Sequence, residues 1–201
     1  MRWLIVVSVV FVAACSPSVP PAPSYPDRIA AERTNKDEMF RSGKDSPLRP
    51  GDRDKFLPLA YFPIDESYAV PAQLQPAAER VSAQVPTSTG QTREMVRLGT
   101  LVFTVKGQPL KLAAFSEEGS PNLFVPFTDL TSGTETYQAG RYMNLEPTPT
   151  GIYIVDFNIA YHPYCYYNAD YDCPFPPGEN RLKVPIRAGE RLSKADTMVP
   201  R

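Results

Sequence analysis

Residues 152–161 read IYIVDFNIAY, and their side chains alternate strictly. Tyr153, Val155, Phe157, Ile159 and Tyr161 fall on one face; Ile152, Ile154, Asp156, Asn158 and Ala160 fall on the other. A period of two with β-branched and aromatic residues marks an extended strand, because successive side chains of a pleated chain point to opposite sides. The same period recurs upstream. Tyr68, Val70 and Leu74 alternate, as do Val81 and Val85, and then Leu101, Phe103 and Val105. Lys106-Gly107 separates that last run from Leu110, Leu112 and Ala114, which predicts a hairpin. After a turn at 117–120, Leu123, Val125 and Phe127 form another strand face. Residues 136–145 are expected to be extended, and Leu182, Val184 and Ile186 to close the set. The fold expected is mainly β, an antiparallel sandwich or barrel with one short N-terminal helix.

That helix is expected from Asp27, as N-cap, to Ser42, with Gly43 as the stop and Glu32/Lys36 and Arg33/Asp37 at i,i+4 spacing. Its apolar face is thin, offering Ile29, Met39 and Phe40, so a surface helix prone to fraying is expected. Residues 56–64 mix Phe56, Leu57, Leu59, Tyr61, Phe62 and Ile64 with Pro58 and Pro63, which suits packed irregular chain or an edge strand.

The first residues have a different purpose. Arg2 precedes an apolar run from Trp3 to Ala14, too short for the roughly 20 residues a membrane-spanning helix needs. A short apolar run ending in small residues is the layout of a signal peptide. Val12-Ala13-Ala14-Cys15 resembles the lipobox of bacterial lipoproteins, in which the cysteine is lipidated and becomes the new N-terminus. The expected organisation is a signal peptide over 1–14, a proline-rich tether over 15–26, one β-rich domain over 27–190 and a polar tail over 191–201. The expected location is the bacterial cell envelope, lipid-anchored at Cys15 and facing the periplasm. Ser16, rather than Asp, after the anchor points to the outer membrane. Loss of 1–14 leaves 20 basic against 22 acidic side chains, a formal −2, which gives no nucleic-acid footprint.

In such a compartment Cys165 and Cys173 are expected to form a disulfide, with zinc held by them and His162 as the rival. No metal or cofactor is assigned. Thiol catalysis has no C-x-x-C to support it, and a bridged cysteine is no nucleophile. The only histidine, His162, has no G-x-S-x-G serine to serve. Two polar groups draw attention instead. Asp156 and Asn158 share one strand face, and Glu135 and Arg141 flank Tyr137 downstream of Asp129. Together Asp129, Glu135, Arg141, Asp156 and Asn158 are the candidate polar site, since buried polar groups must be paired, solvated or used. Aromatic residues from Tyr161 to Tyr171 are of a kind that stacks on a sugar or peptide.

Several segments, in order, are similar to a widespread bacterial family catalogued as domain of unknown function 1684. They are Ser46-Pro47-Leu48, LAYFP at 59–63, PFTDLTSGTETYQAGRY at 126–142, DFNIAYHPYC at 156–165, CPFPPGENRL at 173–182 and Ala188-Gly189-Glu190. The chain departs from the family pattern at His162, where Asn is usual, and at Ala139, where Gly is usual. The resemblance implies no reaction. It includes members without export features, which keeps metal in play at the cysteines. Three functional readings follow: a β domain that binds a small molecule, glycan or protein partner; a hydrolase using paired carboxylates on an envelope glycan or peptide; and an assembly lipoprotein without ligand.

Overall fold

The computed structural model describes residues 22–116 and 120–193. Cys15, the segment before it and most of the C-terminal tail lie outside the described residues. Helix α1 spans Tyr25–Ser42. Six strands follow: β1 (Ala69–Pro86), β2 (Thr92–Val105), β3 (Gln108–Ser116), β4 (Leu123–Phe127), β5 (Arg141–Leu145) and β6 (Ile152–Asp156). They form one antiparallel sheet in the order β5-β4-β3-β2-β1-β6, curled into a half-barrel. Consecutive strands are neighbours except at β6, which returns to the far side of β1 with Val70 opposite Val155. The two edges then meet: Tyr142 on β5 and Tyr161 beyond β6 exchange backbone hydrogen bonds of 2.9 and 3.0 Å. The fold is mainly β, as the alternation predicts, and the curled single sheet lies nearer the barrel than the sandwich.

The curl buries the inner face of nearly every strand. Leu101, Leu112, Val125, Phe127, Met143, Val155 and Phe157 are sealed inside, with Ile186 and Ala188 from the C-terminal segment over them. Ala113, Phe115, Phe124 and Tyr142 point the other way, where a second, smaller cluster lies against Cys173. The predicted hairpin at Lys106-Gly107 is present, with φ of 47° and 78° at its two central residues. Both are in the left-handed region that a tight hairpin turn demands.

Four expectations are corrected. Strand β6 ends at Asp156 rather than continuing to Tyr161, because the Asp156 carboxylate accepts the N–H of Asn158 at 2.9 Å and starts a 3-10 turn over Phe157–Ile159. Residues 136–140 are not extended: the N–H groups of Glu135 and Thr136 both turn back to the carbonyl of Thr131, so the strand begins only at Arg141. Residues 182–186 are not a strand, since part of the segment's backbone is held by side chains instead of a ladder. The helix is also better anchored than its composition suggests. Its cap is Ser24, so Tyr25 and Pro26 belong to its first turn and not to the tether. It buries Ile29 and Phe40 completely. Lys36 pairs with Glu190 and Glu32 with Arg28, in place of the Glu32/Lys36 pair.

Candidate functional site

The five polar residues chosen from the sequence are not gathered into one cleft. Asp129 and Arg141 form an ion pair at 2.8 Å with neither side chain exposed beyond 1%. The guanidinium also donates to the carbonyls of Ala188, Ile186 (2.7 Å) and Glu190 (3.2 Å). Asp129 accepts the N–H of Thr131 at 2.6 Å. A buried charge needs compensating partners, and Nη1 and Nη2 find them in Asp129 and in the backbone of residues 186–190, which they pin to the end of β4 and the start of β5, while Nε is left without a hydrogen bond. Burial in an apolar site pulls the Arg141 guanidinium below its ordinary pKa, with the Asp129 carboxylate opposing.

Glu135 lies apart, on the surface, in an ion pair of 2.8 Å with Arg187. Asp156 and Asn158 do stay together. The Tyr25 hydroxyl lies 2.8 Å from both Asp156 oxygens, and the Asn158 amide donates to Tyr25, to Asp156 and to the carbonyl of Asp65. This cluster ties helix α1 to the end of β6. Burial, and then the neighbouring carboxylate, push the Tyr25 hydroxyl well above its usual pKa. Glu135 and Asp156 do not converge, so the paired-carboxylate hydrolase has no geometric footing in these residues.

A third polar centre was not singled out from the sequence. Glu190 is 1% exposed, and its carboxylate accepts from the Lys36 ammonium, the Tyr167 hydroxyl (2.7 Å) and the His162 N–H (2.6 Å). Gly189 before it has φ of +78°, and a side chain there would fall 2.5 Å from the Ala160 carbonyl, so only glycine brings Glu190 in so close. The Ala188-Gly189-Glu190 motif was the one available signal. His162 accepts the Tyr137 N–H on Nε2 at 3.2 Å and places Nδ1 3.8 Å from Glu190. The carboxylate favours an imidazolium, yet an accepting Nε2 carries no proton. Burial and the charges of Arg141 and Lys36 hold the ring neutral, far below its ordinary pKa. Its two ring nitrogens thus face the Tyr137 N–H and the Glu190 carboxylate rather than the thiols, and no cluster of three or more His, Cys, Asp or Glu side chains suited to a metal occurs among the described residues.

Cys165 and Cys173 do come together, but as free thiols rather than the expected bridge. The Cys173 sulfur accepts the Cys165 N–H at 3.2 Å.

Beside the cysteines and Lys36 lies a cleft of about 520 Å³. Its walls are aromatic: Phe124, Tyr142, Tyr161, Tyr164 and Tyr171. They pack edge to face, with ring centroids 4.8 Å apart for Phe124/Tyr142, 5.9 Å for Tyr142/Tyr161 and 5.2 Å for Tyr164/Tyr171. Asn144 donates to the Tyr161 hydroxyl at 2.9 Å on the rim. Two cations line it, each already matched: Lys36 by Glu190 and Arg93 by Asp172 at 3.6 Å. Behind Lys36 and Tyr161 lies a recess of about 150 Å³ into which Glu190 and Tyr61 also face. The Tyr61 hydroxyl there is buried without a hydrogen-bond partner, and burial raises its pKa. Aromatic walls with a few polar tips are the usual make-up of a small-ligand pocket, and both volume and lining fit that description.

Among the described residues no helix is long and apolar enough to cross a membrane. No curated protein matches the chain. The solution NMR structure of an uncharacterized protein from Haloarcula marismortui is similar over 83% of this chain and 93% of its own, at 37% identity and a TM-score of 0.66. That neighbour carries no stated activity. A family model described as a protein of unknown function, DUF1684, matches residues 54–191, a span that holds the whole sheet, the Asp129/Arg141 clamp, Glu190 and the walls of the cleft save Lys36. The chain belongs to that family.

Proposed function

We propose that this protein is a lipid-anchored envelope protein whose β domain binds a fragment of an envelope glycan in the aromatic cleft. The observation that carries the reading is the cleft itself: about 520 Å³ walled by five aromatic rings whose two cations are already neutralised. A site with matched charges offers no net attraction to a phosphate or other anion. Aromatic walls beside hydroxyl and amide groups suit a sugar ring, which has apolar C–H faces and polar edges. The polar residues that the sequence brought forward are each taken up by structural partners, so the ligand reading moves from them to the cleft.

Anchoring rests on Val12-Ala13-Ala14-Cys15. Mass spectrometry of the mature protein should find lipid on Cys15, and Cys15→Ala should release it from the membrane fraction. Calorimetry with amino-sugar oligosaccharides should give saturable binding. Tyr171→Ala should weaken it about tenfold, the equivalent of roughly 1.4 kcal/mol and within the range of one aromatic contact. Absence of binding to the wild type at millimolar sugar, or wild-type affinity in both Tyr171→Ala and Asn144→Ala, would remove the cleft as the site.

A further inference from the structure

We infer that Cys165 and Cys173 form a reversible dithiol–disulfide couple beside the cleft, whose wall Cys173 lines, with Cys165 as the attacking sulfur. This makes the chain a substrate for thiol–disulfide exchange, and the inference is independent of whether a glycan occupies the cleft.

Geometry carries it. Cys165 sits in the helical turn Tyr164–Tyr167, and Cys173 lines the cleft. The backbone around Cys173 is clamped to the turn between β1 and β2: Ser88 donates its N–H to the Cys173 carbonyl at 2.9 Å and accepts the Cys173 N–H on its hydroxyl at 3.0 Å. Phe175 donates to Pro86 at 2.8 Å, and Asp172 accepts from the Thr89 hydroxyl at 2.6 Å. Both cysteines are thus held by their own frames, with the Cys173 sulfur 3.2 Å from the Cys165 backbone nitrogen and a hydrogen bond between the two thiols. Closing the bond asks for rotation of side chains and no refolding of the loop.

The two thiols are not equivalent. Cys165 is the more exposed, and Cys173 is 7% exposed. A hydrogen bond from the Cys173 thiol, followed by others from Ser88 and Tyr137, outweighs burial and draws Cys165 down to about 7. The shared hydrogen bond with Cys165 and burial push Cys173 the opposite way. The more exposed sulfur is drawn toward the thiolate and the buried one away from it, the asymmetry that attack and resolution require.

The exchange balances with a low-molecular-weight disulfide as oxidant. The Cys165 thiolate attacks one sulfur of that disulfide, forming a mixed disulfide and expelling the other sulfur as a thiolate, which takes up the proton that Cys165 gave up. Cys173 loses its proton and attacks the Cys165 sulfur, closing the intramolecular bond and expelling the second thiol. The protein loses two protons and two electrons, and the oxidant gains them as two free thiols.

The test uses the full chain carrying Cys15→Ser, so that only this pair responds. The reduced protein is equilibrated across ratios of reduced to oxidised glutathione, quenched in acid, alkylated and weighed. Expected is a species lighter by two hydrogens that forms and reverts with the ratio while the far-UV circular dichroism is unchanged. Cys173→Ser should halt at a glutathione adduct on residue 165, and Cys165→Ser should react at least about tenfold more slowly. If either variant fails to fold, peptide mapping of briefly alkylated wild type replaces it, with Cys165 labelled before Cys173. Thiols that stay free in excess oxidised glutathione would overturn the inference. So would a bridge that reduced glutathione opens only after unfolding, or equal reactivity of the two sulfurs.

Discussion

Arg141 has no exposed surface, and its guanidinium makes one bond to a carboxylate and three to backbone carbonyls. Asp129→Asn removes the compensating charge and should destabilise the fold by about 3–5 kcal/mol in urea unfolding. Replacing a buried ion pair with apolar residues is often harmless, but here it would strand the carbonyls of Ile186, Ala188 and Glu190. Arg141→Met should therefore cost at least as much, and the double variant should not recover the loss. A near-neutral Arg141→Met would show that residues 186–190 are held by something else. His162 supplies a pH dependence. Its folded pKa is lowered, so between that value and the unfolded value of about 6.5 the unfolded chain binds a proton that the folded chain refuses. Its contribution is complete above about pH 6.5 and is lost as pH falls through that window. The urea midpoint should drop between pH 7 and pH 5, and His162→Asn should flatten the drop, because an amide oxygen can accept the Tyr137 N–H without titrating. Equal slopes in both proteins would exclude His162 as the cause.

Helix α1 shows how elements differ from their sequence description. Ile29, Met39 and Phe40 are the large aliphatic and phenyl side chains on 18 residues and give a weak amphipathic pattern, yet Ile29 and Phe40 are fully buried. Arg33 donates to the Phe62 carbonyl at 3.0 Å, and Asp37 accepts the Leu59 N–H at 3.0 Å. Phe40 packs edge-on to Tyr167 at 5.1 Å, in a cluster with Leu48, Phe56 and Leu59. Side chains that read as solvent pairs are thus tertiary bonds. A chain beginning at residue 44 should lose these contacts and the Lys36/Glu190 pair, exposing Phe56 and Tyr167. Its melting temperature should fall by at least 10 °C, about the effect of a few kcal/mol on a domain of this size, and it should bind a hydrophobic dye. An unchanged melting temperature would make the helix dispensable to the sheet. The strands contrast with it. Runs at 101–105, 110–114 and 123–127 alternate or are wholly buried, and all became strands because their apolar faces had a common core to meet.

At the scale of the whole molecule, alternation determined much: a mainly β fold, its antiparallel hairpins, the turn at Lys106-Gly107 and most of the core. These depend on neighbours in the chain, since a period of two sorts side chains to two faces before any distant contact is made. Family membership was legible too, in motifs running from 46 to 190. The site was not. The sequence grouped Asp129, Glu135, Arg141, Asp156 and Asn158 by type and proximity along the chain, whereas the fold assigned Arg141 to clamping the C-terminal segment, Glu135 to the surface and Asp156 to holding helix α1. It also brought Glu190 from near the end of the chain to Lys36, and joined Phe124, Tyr142 and Tyr171 into one cleft. A charged or aromatic side chain acquires its role from the partner that meets it, and in a curled sheet those partners come from distant positions. The sequence by itself determined which residues face inward. Only the tertiary structure decided what each buried charge answers to, because electrostatic and hydrogen-bond pairing depends on distance in space and has no period along the chain.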